Sequence, residues 1–324
     1  MWRRLQLQVS NRGIRLELTH VDARGDHTLP EADRVRRTAE RGHRRVNGLL
    51  AAVAPSPATL LSDEQDTAAA TATVHASTAT YLVDLAIGMP PLRLTAPTPM
   101  YKPARSATYA NVSCGARLCE AVPSPRSRCS AAPEIGCACY FSNGDGSSTD
   151  GVLASDTFTL GSGTAVQGVA FGCGTDNLGG TDNSSGLVGM GWGMGSRSHP
   201  TLSHNQIHPK YSYCFTPFND MMTASPLFLG SLPSLSPAAN STVFMPSPVV
   251  PWRSSYYYLS LEGITVGDTL LPIDPAVFQL TASGRGALII DSGTTFTALE
   301  ERTFVVLVPA VAARVTQPWP LACT

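Results

Sequence analysis

The feature that most constrains this chain is an acidic turn that follows directly on an apolar run. Residues 287–290 read Ala-Leu-Ile-Ile, which predicts a buried strand, and Asp291-Ser292-Gly293-Thr294 comes next. Gly293 lets the backbone close tightly. A carboxylate at the end of a buried strand is costly unless it is hydrogen-bonded, so we expect Asp291 to be either a structural turn residue or a catalytic group.

A catalytic role for Asp291 requires a second carboxyl group. Two adjacent carboxyls cannot both be ionised, so such a pair shares one proton and works as acid and base together. No other Asp-Ser-Gly or Asp-Thr-Gly triplet occurs among the 324 residues. Asp291 is therefore either half of a pair or a retained structural turn. In both cases we expect Thr294 to hydrogen-bond within the turn and Ser292 to shape the surroundings of the carboxylate.

Short segments with strand character, separated by turn residues, predict an all-β body. Hydrophobic residues make up 43% of the chain and charged residues 15%, which is the composition of a globular protein with a substantial core. One short helix is predicted at residues 299–314, where apolar side chains form a stripe. The predicted strands are residues 81–87, 151–160, 166–172, 227–229, 256–266 and 287–290.

Residues 1–78 differ in composition from the β-rich body. Residues 13–21 alternate and predict a strand, 31–52 predict a basic amphipathic helix, and the Ala/Thr/Ser/Pro-rich segment 53–78 predicts a flexible linker. Residues 1–45 hold eleven arginines against six acidic residues, but no basic stripe interleaved with aromatic residues supports binding to nucleic acid. No stretch reaches the ~18 apolar residues that a membrane span needs.

Cysteines and glycosylation triplets favour an oxidising compartment for the body of the chain. Asn111, Asn183 and Asn240 each begin an Asn-X-Ser/Thr triplet and are candidate glycosylation sites. The N-terminal residues lack the apolar core of a signal peptide, which conflicts with a secretory destination. The eight cysteines are Cys114, Cys119, Cys129, Cys137, Cys139, Cys173, Cys214 and Cys323.

Motifs for metals and cofactors are missing from the sequence. No Cys-x2-Cys pair is matched by a second one, and His199, His204 and His208 lack the spacing of a zinc helix. The glycines at 189–195 form neither a dinucleotide fingerprint nor a phosphate-binding loop. We therefore expect no metal and no cofactor.

Several segments, in order along the chain, resemble the pepsin-like aspartic proteases of the plant, nepenthesin-like branch. That family has two β lobes around a cleft, and each lobe gives one Asp to a shared catalytic water. The resemblance therefore implies an aspartic-type endopeptidase that acts on polypeptides, with Asp291 as the carboxylate of the second lobe. The matching segments are residues 81–91, 101–119, 144–151, 171–174, 186–191, 211–215 and 289–295.

The resemblance also places a flap over the cleft. Asn143, Gly144, Asp145 and Gly146 occupy its position, and Asn143 stands where the family has a tyrosine. Asn cannot supply the same apolar cover, and Asn-Gly also favours a tight hairpin turn. The loss of this tyrosine is consistent with relaxed selection for catalysis.

Two further expectations follow from the resemblance alone. Cys173 and Cys214 resemble a disulfide pair of the family, and residues 15–24 are similar to the prosegment of its zymogens. The resemblance implies that the basic helix at 31–52 lies across the cleft as an inhibitory prosegment; the alternative is a solvated helix whose apolar stripe packs on a lobe.

The resemblance divides the chain into a leader and two lobes. Residues 1–78 are the prosegment-like leader and linker, 79–245 the N-terminal lobe, and 246–324 the C-terminal lobe. The strand that carries the first Asp-Thr/Ser-Gly triplet would lie between Ala96 and Pro97 and is missing, and the family's closing strands lie past residue 324. We expect an all-β, bilobal, pepsin-like acid protease fold that is incomplete in both lobes.

Three functions fit these observations. The first is an aspartic endopeptidase whose full gene product contains the missing segment, so that the present chain is inactive. The second is a non-catalytic pseudo-protease that binds or inhibits another protein. The third is a dimer in which two copies of Asp291 meet. Of these we expect an inactive monomer, placed by family in the secretory pathway, the vacuole or the extracellular space.

Overall fold

A computed structural model describes most of the β-rich body and part of the leader. The chain divides into two compact units, Met1–Ala239 and Asn240–Thr324, called the first and second unit below. The described residues are 13–20, 30, 32–36, 39–40, 43, 81–94, 100–120, 136–142, 147–161, 163–179, 185–191, 207, 210–216, 223–246, 256–281, 286–294 and 297–315.

Strands dominate the described residues. The helices are α1 (Arg117–Glu120) and α2 (Glu301–Ala312), with 3₁₀ turns at Pro103–Arg105 and Pro275–Phe278 and helical leader residues at 32–36, 39–40 and 43. The strands are β1 (Gly13–His20), β2 (Tyr81–Val83), β3 (Leu85–Ile87), β4 (Leu92–Leu94), β5 (Ala110–Asn111), β6 (Ala138–Ser142), β7 (Ser148–Leu160), β8 (Thr164–Leu178), β9 (Tyr211–Tyr213), β10 (Ser225–Gly230), β11 (Tyr257–Leu259), β12 (Thr265–Val266), β13 (Thr269–Leu270) and β14 (Leu288–Ile290).

The leader strand β1 is an inner strand of a four-stranded antiparallel sheet. The order is β2-β1-β10-β9, and β1 pairs with β10 from Gly13 to Leu18 and with β2 from Leu18 to His20. Ile14, Leu16 and Leu18 are buried while the residues between them are exposed, as the alternation of residues 13–21 predicts. The leader therefore contributes side chains to the core of the first unit.

A six-stranded sheet completes the first unit and is organised around β7. The path runs β4-β3-β7-β5, and β6 and β8 also pair with β7. The register between β7 and β8 shifts at Asp150/Gly151 and again at Asp156/Phe158. Such bulges bend a strand and re-aim its side chains. One core cluster joins side chains of this sheet and of the four-stranded sheet: Ile14, Leu16, Leu18, Ile87, Phe158, Leu160, Val166, Val169, Ile207, Leu227 and Leu229.

Each predicted segment contains a strand, with three main differences in extent. The segment 256–266 divides into β11 and β12, which pair with β14 and β13 in two separate sheets. The segment 81–87 is broken at Asp84 into β2 and β3, which belong to different sheets. β8 runs to Leu178 rather than 172, because the exposed residues beyond Gly172 still pair with β7 although they show no apolar pattern. Residues 53–78, predicted as a linker, lie outside the described residues.

The second unit contains two small antiparallel pairs and helix α2. β11 pairs with β14 and β12 with β13, and Tyr258 and Leu259 on β11 are buried. The helix predicted at 299–314 is present as α2, with Glu300 accepting a hydrogen bond from the Thr303 N–H at its start.

The apolar stripe predicted on α2 is only partly buried. Leu299 and Leu307 are half-buried, whereas Phe304, Val308 and Val311 are 55%, 44% and 38% exposed. Thr303 is the buried residue of α2. The helix face that carries Thr303 therefore points inward, and Phe304 points to solvent.

Gly161, in the turn between β7 and β8, lies against the leader strand. It has φ +53°, and a Cβ at this position would collide with the carbonyl oxygen of Arg15 on β1. Gly168 has a similar φ of +64° with nothing near its Cβ position. The two glycines therefore share a backbone conformation and differ in the contact with β1.

Gly161→Ala is expected to destabilise the first unit more than Gly168→Ala. Both substitutions carry about 1–2 kcal/mol for a left-handed backbone, and Gly161→Ala adds about 1–3 kcal/mol because β1 has to shift. Urea unfolding of the two variants measures the difference. Equal midpoints would mean that β1 does not pack against this turn.

Candidate active site

Asp291 stands at the end of β14, held in place by its pairing with β11. Tyr257 pairs with Ile290, and Tyr258 with Ile289, so the strand that precedes the acidic turn is fixed on one side. Asp291 and Thr294 are half-buried, whereas Ser292 and Gly293 are exposed. The acidic turn thus opens to solvent at its tip and anchors its carboxylate at its base.

Both carboxylate oxygens of Asp291 accept hydrogen bonds from the turn itself. The Gly293 N–H donates to Oδ1 at 2.9 Å, and the Thr294 hydroxyl donates to Oδ2 at 2.7 Å. The Thr294 N–H also donates to the Asp291 carbonyl at 3.1 Å, which closes the turn. Donors on both oxygens stabilise the ionised carboxylate and fix its plane.

This arrangement supplies one well-oriented acceptor for a water or a substrate proton. It does not by itself supply the proton donor that peptide hydrolysis needs on the other side of the water. The geometry of Asp291 is compatible with a member of a catalytic pair and equally with a structural turn. A second carboxylate beside Asp291 would distinguish the two roles. The sequence contains no second Asp-Ser/Thr-Gly triplet that could supply it.

The two strands that flank the predicted flap form a hairpin stem. β6 and β7 pair from Ala138↔Val152 to Ser142↔Ser148. Asn143, Gly144, Asp145 and Gly146, the flap residues themselves, lie outside the described residues. Their assignment as the flap stays a prediction.

The disulfide pair implied by the resemblance does not form. Cys173 and Cys214 are both free thiols. Cys173 lies in β8 of the six-stranded sheet, where its thiol contacts the Tyr109 hydroxyl, whereas Cys214 is exposed just after β9 of the four-stranded sheet. The two cysteines occupy different sheets.

A different disulfide, Cys119–Cys137, is present in the first unit, and Cys114 is also disulfide-bonded. Cys137 is fully buried beside Leu153. Cys139, two residues further on, is a buried free thiol, and burial, together with Cys173 and Asp150, raises its pKa to about 11. A thiol with such a pKa is a poor nucleophile at neutral pH.

The structure reveals a buried carboxylate that the sequence analysis missed, Asp156 on β7. It is fully buried. Oδ2 accepts a hydrogen bond from the Tyr101 hydroxyl at 2.5 Å, and Oδ1 accepts from the hydroxyls of Thr108 at 2.5 Å and Ser106 at 3.0 Å. The Thr157 N–H donates to Oδ1 at 2.7 Å. We call these five residues the Asp156 cluster.

The Asp156 cluster keeps its carboxylate ionised. Burial alone raises the pKa of Asp156, but the hydrogen bonds from Thr108, Tyr101, the Thr157 N–H and Ser106 outweigh it, so the pKa lies below its ordinary value. The pKa of Tyr101 is raised by burial and by Asp156, so its hydroxyl stays a donor. The cluster ties the segment 101–108 to β7, which is a structural role.

One sequence signal pointed to this cluster. Asp156 is the one acidic residue of the predicted strand 151–160, and the segment 106–108 offers the hydroxyl donors of Ser106 and Thr108. The pattern of residues 151–160 does not show that Asp156 faces inward, because the bulge at Asp156/Phe158 turns both Asp156 and Thr157 into the interior.

The candidate glycosylation residues lie in different surroundings. Asn111 is in β5, paired with Ala154, and its Oδ1 accepts the Tyr109 hydroxyl at 2.7 Å. Asn240 is exposed in the segment between β10 and β11. Asn183 lies outside the described residues.

The described residues contain neither a cluster suited to a metal ion nor a helix suited to a membrane span. No group of three His, Cys, Asp or Glu side chains there is placed to hold a metal ion. None of the helices in that part of the chain has the length and apolarity needed to cross a membrane.

Two family models match the chain and together cover most of the body. A model described as "Xylanase inhibitor N-terminal" matches residues 81–231, and one described as "Xylanase inhibitor C-terminal" matches residues 256–321. The chain is 31% identical to aspartic proteinase nepenthesin-2 of Nepenthes gracilis over 331 residues, covering 94% of this chain and 69% of that protein. The chain belongs to the nepenthesin-like branch of the pepsin-family aspartic proteases.

A second relative agrees with this membership, and two solved structures share the fold. Aspartic proteinase nepenthesin-1 of Nepenthes gracilis is 34% identical, over 88% of this chain and 64% of its own length, so the chain spans about two thirds of the nepenthesins it matches. The fold is similar to crystal structures of EDGP (TM-score 0.53, 16% identity, 74% of this chain and 70% of that one) and of basic 7S globulin from soybean (0.50, 15%, 75% and 70%). The all-β, pepsin-like fold predicted from the sequence is confirmed.

Proposed function

We propose that this nepenthesin-like chain does not hydrolyse peptide bonds on its own. The observation that carries the proposal is Asp291, the one Asp-Ser/Thr-Gly carboxylate in the sequence. Its two oxygens are already engaged by the acidic turn, and general acid–base assistance of ~10²–10⁴-fold depends on a second group that can exchange the proton. One oriented carboxylate can order a water, but peptide hydrolysis also needs a second acid–base group.

The proposal includes the division of the chain into a leader and two lobes. Residues 79–245 act as the N-terminal lobe, 246–324 as the C-terminal lobe, and 1–78 as a prosegment-like leader of a zymogen-type chain. Pairing of β1 on both sides supports a structural contribution of the leader, because its alternating apolar side chains lie in the core. Any substrate would be a polypeptide, as for the aspartic proteinases that the chain resembles.

Hydrolysis of an unfolded protein substrate at acid pH tests the proposal. The purified full-length chain, first shown to be folded by circular dichroism, is expected to release no pepstatin-sensitive peptides. Sequencing of the transcript between the codons for Ala96 and Pro97 shows whether an isoform restores the missing triplet. Pepstatin-sensitive turnover by the chain as printed would overturn the proposal.

The alternative function is a non-catalytic binder or inhibitor of another protein. It is favoured by the description of both matching family models, which names xylanase inhibition. Such a role needs a folded surface but no catalytic pair. Titration of a xylanase with the chain would support it if activity fell to a plateau at one equivalent. No loss of activity at a large excess of chain would exclude xylanases as the target.

A further inference from the structure

The segment between β10 and β11 exposes several large apolar side chains. Residues 231–246 contain no strand or helix, and Leu235 and Val243 are 80% and 87% exposed. Leu232 and Phe244, nearer the two ends, are 44% and 43% exposed. Scattered apolar side chains are normal on a protein surface, but several in one short segment favour association between copies. We call residues 231–246 the connecting segment.

A glycosylation triplet lies within this connecting segment. Asn240, Ser241 and Thr242 are all exposed, and the backbone around them takes part in no strand. A transferase must bind the Asn side chain and the hydroxyl two residues later at the same time, which requires an accessible, unpaired backbone. The Asn240 triplet meets that requirement in the folded chain.

The triplet at Asn111 does not meet the requirement in the folded chain. The N–H of Val112, its middle residue, donates to the Leu153 carbonyl, and the Val112 carbonyl accepts from the Cys137 N–H. The Asn111 side chain accepts the Tyr109 hydroxyl. The backbone of this triplet is thus held between two neighbouring strands.

The disulfide of the first unit supplies an independent reason to expect exposure to the glycosylation machinery. Cys119–Cys137 buries its sulfurs in a small cluster with Leu153, and Cys114 is disulfide-bonded as well. Disulfides form and persist in compartments such as the lumen of the endoplasmic reticulum. N-linked glycosylation occurs in that same lumen.

We propose that Asn240 carries an N-linked glycan that covers the apolar surface of the connecting segment. The co-reactant is a lipid-linked oligosaccharide. Asn240 Nδ2 forms a bond to C1 of the first N-acetylglucosamine, the bond from C1 to the lipid pyrophosphate breaks, and the pyrophosphate leaves with that electron pair while the amide proton passes to the transferase base. A glycan is bulky and hydrated, so on Asn240 it keeps Leu235 and Val243 from contacting other copies.

Site occupancy is read first in cell-free translation with microsomes, using the full chain behind a cleavable signal peptide. This readout does not depend on folding. Asn240→Gln and Thr242→Ala are each expected to lose one glycosidase-sensitive mobility step, whereas Ser241→Ala keeps it because the triplet is intact. Peptide mapping after deglycosylation in heavy-oxygen water identifies the modified Asn. An unmodified Asn240 in translocated chain overturns the proposal.

The covering role is tested on secreted protein from a eukaryotic host. Removal of the glycan in Asn240→Gln is expected to raise the aggregated fraction in size-exclusion chromatography. The triple variant, in which Leu235→Ser and Val243→Ser are added to Asn240→Gln, is expected to return that fraction to the wild-type value. Ser241→Ala serves as the matched control. Equal aggregation of wild type and Asn240→Gln would overturn the covering role, whatever the occupancy.

Discussion

Asp156→Ala is expected to lower the free energy of unfolding of the first unit by about 3–5 kcal/mol. The substitution leaves three hydroxyl donors and the Thr157 N–H without their shared acceptor in a fully buried position. Hydrogen bonds to a charged acceptor contribute more than neutral ones, and buried donors without partners carry the full desolvation cost. Urea unfolding followed by circular dichroism measures the loss.

Asp150→Ala is the matched control for this prediction. Asp150 lies on the same strand, also beside a bulge, but is exposed. Surface substitutions of this kind change stability by about 0.5 kcal/mol or less. Similar losses for Asp150→Ala and Asp156→Ala would show that the Asp156 cluster contributes nothing specific.

The contribution of Asp156 also has a defined pH dependence. Its pKa is lower in the folded than in the unfolded chain, where a free Asp has a pKa of about 3.9, so the stabilisation is fully present above that value. It is lost as the pH falls through the lower, folded pKa. The stability difference between wild type and Asp156→Asn should therefore stay constant from neutral pH down to about pH 4 and shrink below it. A difference that began to shrink near neutral pH would contradict the assigned direction.

Leu16→Ala is expected to destabilise the first unit by about 2–5 kcal/mol. Leu16 is 4% exposed in the middle of β1, opposite Leu227 on β10, and it belongs to the core cluster that joins the two sheets. Truncation leaves a cavity in that cluster, which the surrounding core residues close only in part. A loss of this size would show that the prosegment-like leader is part of the folded core. Faster hydrogen exchange of the β10 amides would show that the loss of stability is located at the β1–β10 pairing.

The control is Glu17→Ala at the neighbouring position, which separates the contribution of side-chain packing to stability from that of backbone pairing. Glu17 is exposed and forms an ion pair with Arg15 at 3.5 Å, an interaction worth about 0–1 kcal/mol at the surface. Its backbone pairing with β10 is unchanged by the substitution. If Leu16→Ala and Glu17→Ala had equal, small effects, β1 would be a surface strand and its place in the core would be wrong.

The sequence predicts most of the strands because buried apolar and exposed polar residues alternate even within short strands. Ile14, Leu16 and Leu18 show the period of two directly, and their burial follows from it. The sequence does not predict where β1 inserts, because pairing with β10 joins residues about two hundred positions apart and leaves no local signal. Asp156 was missed for a related reason, since a bulge changes which side chains face inward.

The candidate site was predictable only in its local part. The bonds from Gly293 and Thr294 to Asp291 lie within four residues, so the turn can be anticipated from the triplet alone. The Cys173–Cys214 pair was inferred from the family, whereas here both thiols are free: Cys173 on β8 contacts the Tyr109 hydroxyl, and Cys214 is exposed just after β9. The outward face of α2 was equally unpredictable, since a stripe of apolar residues indicates a helix face without indicating what covers it.

The central claim is that one oriented carboxylate in a nepenthesin-like chain does not amount to a protease. The most direct measurement is kcat/KM for a fluorogenic peptide at acid pH, compared between the wild-type chain and Asp291→Asn, with Asp268→Asn as an exposed control from the same unit. We predict that all three give the same rate as buffer and that pepstatin changes none of them. Pepstatin-sensitive hydrolysis by wild type that falls ~10²-fold or more in Asp291→Asn, but not in Asp268→Asn, would contradict the account.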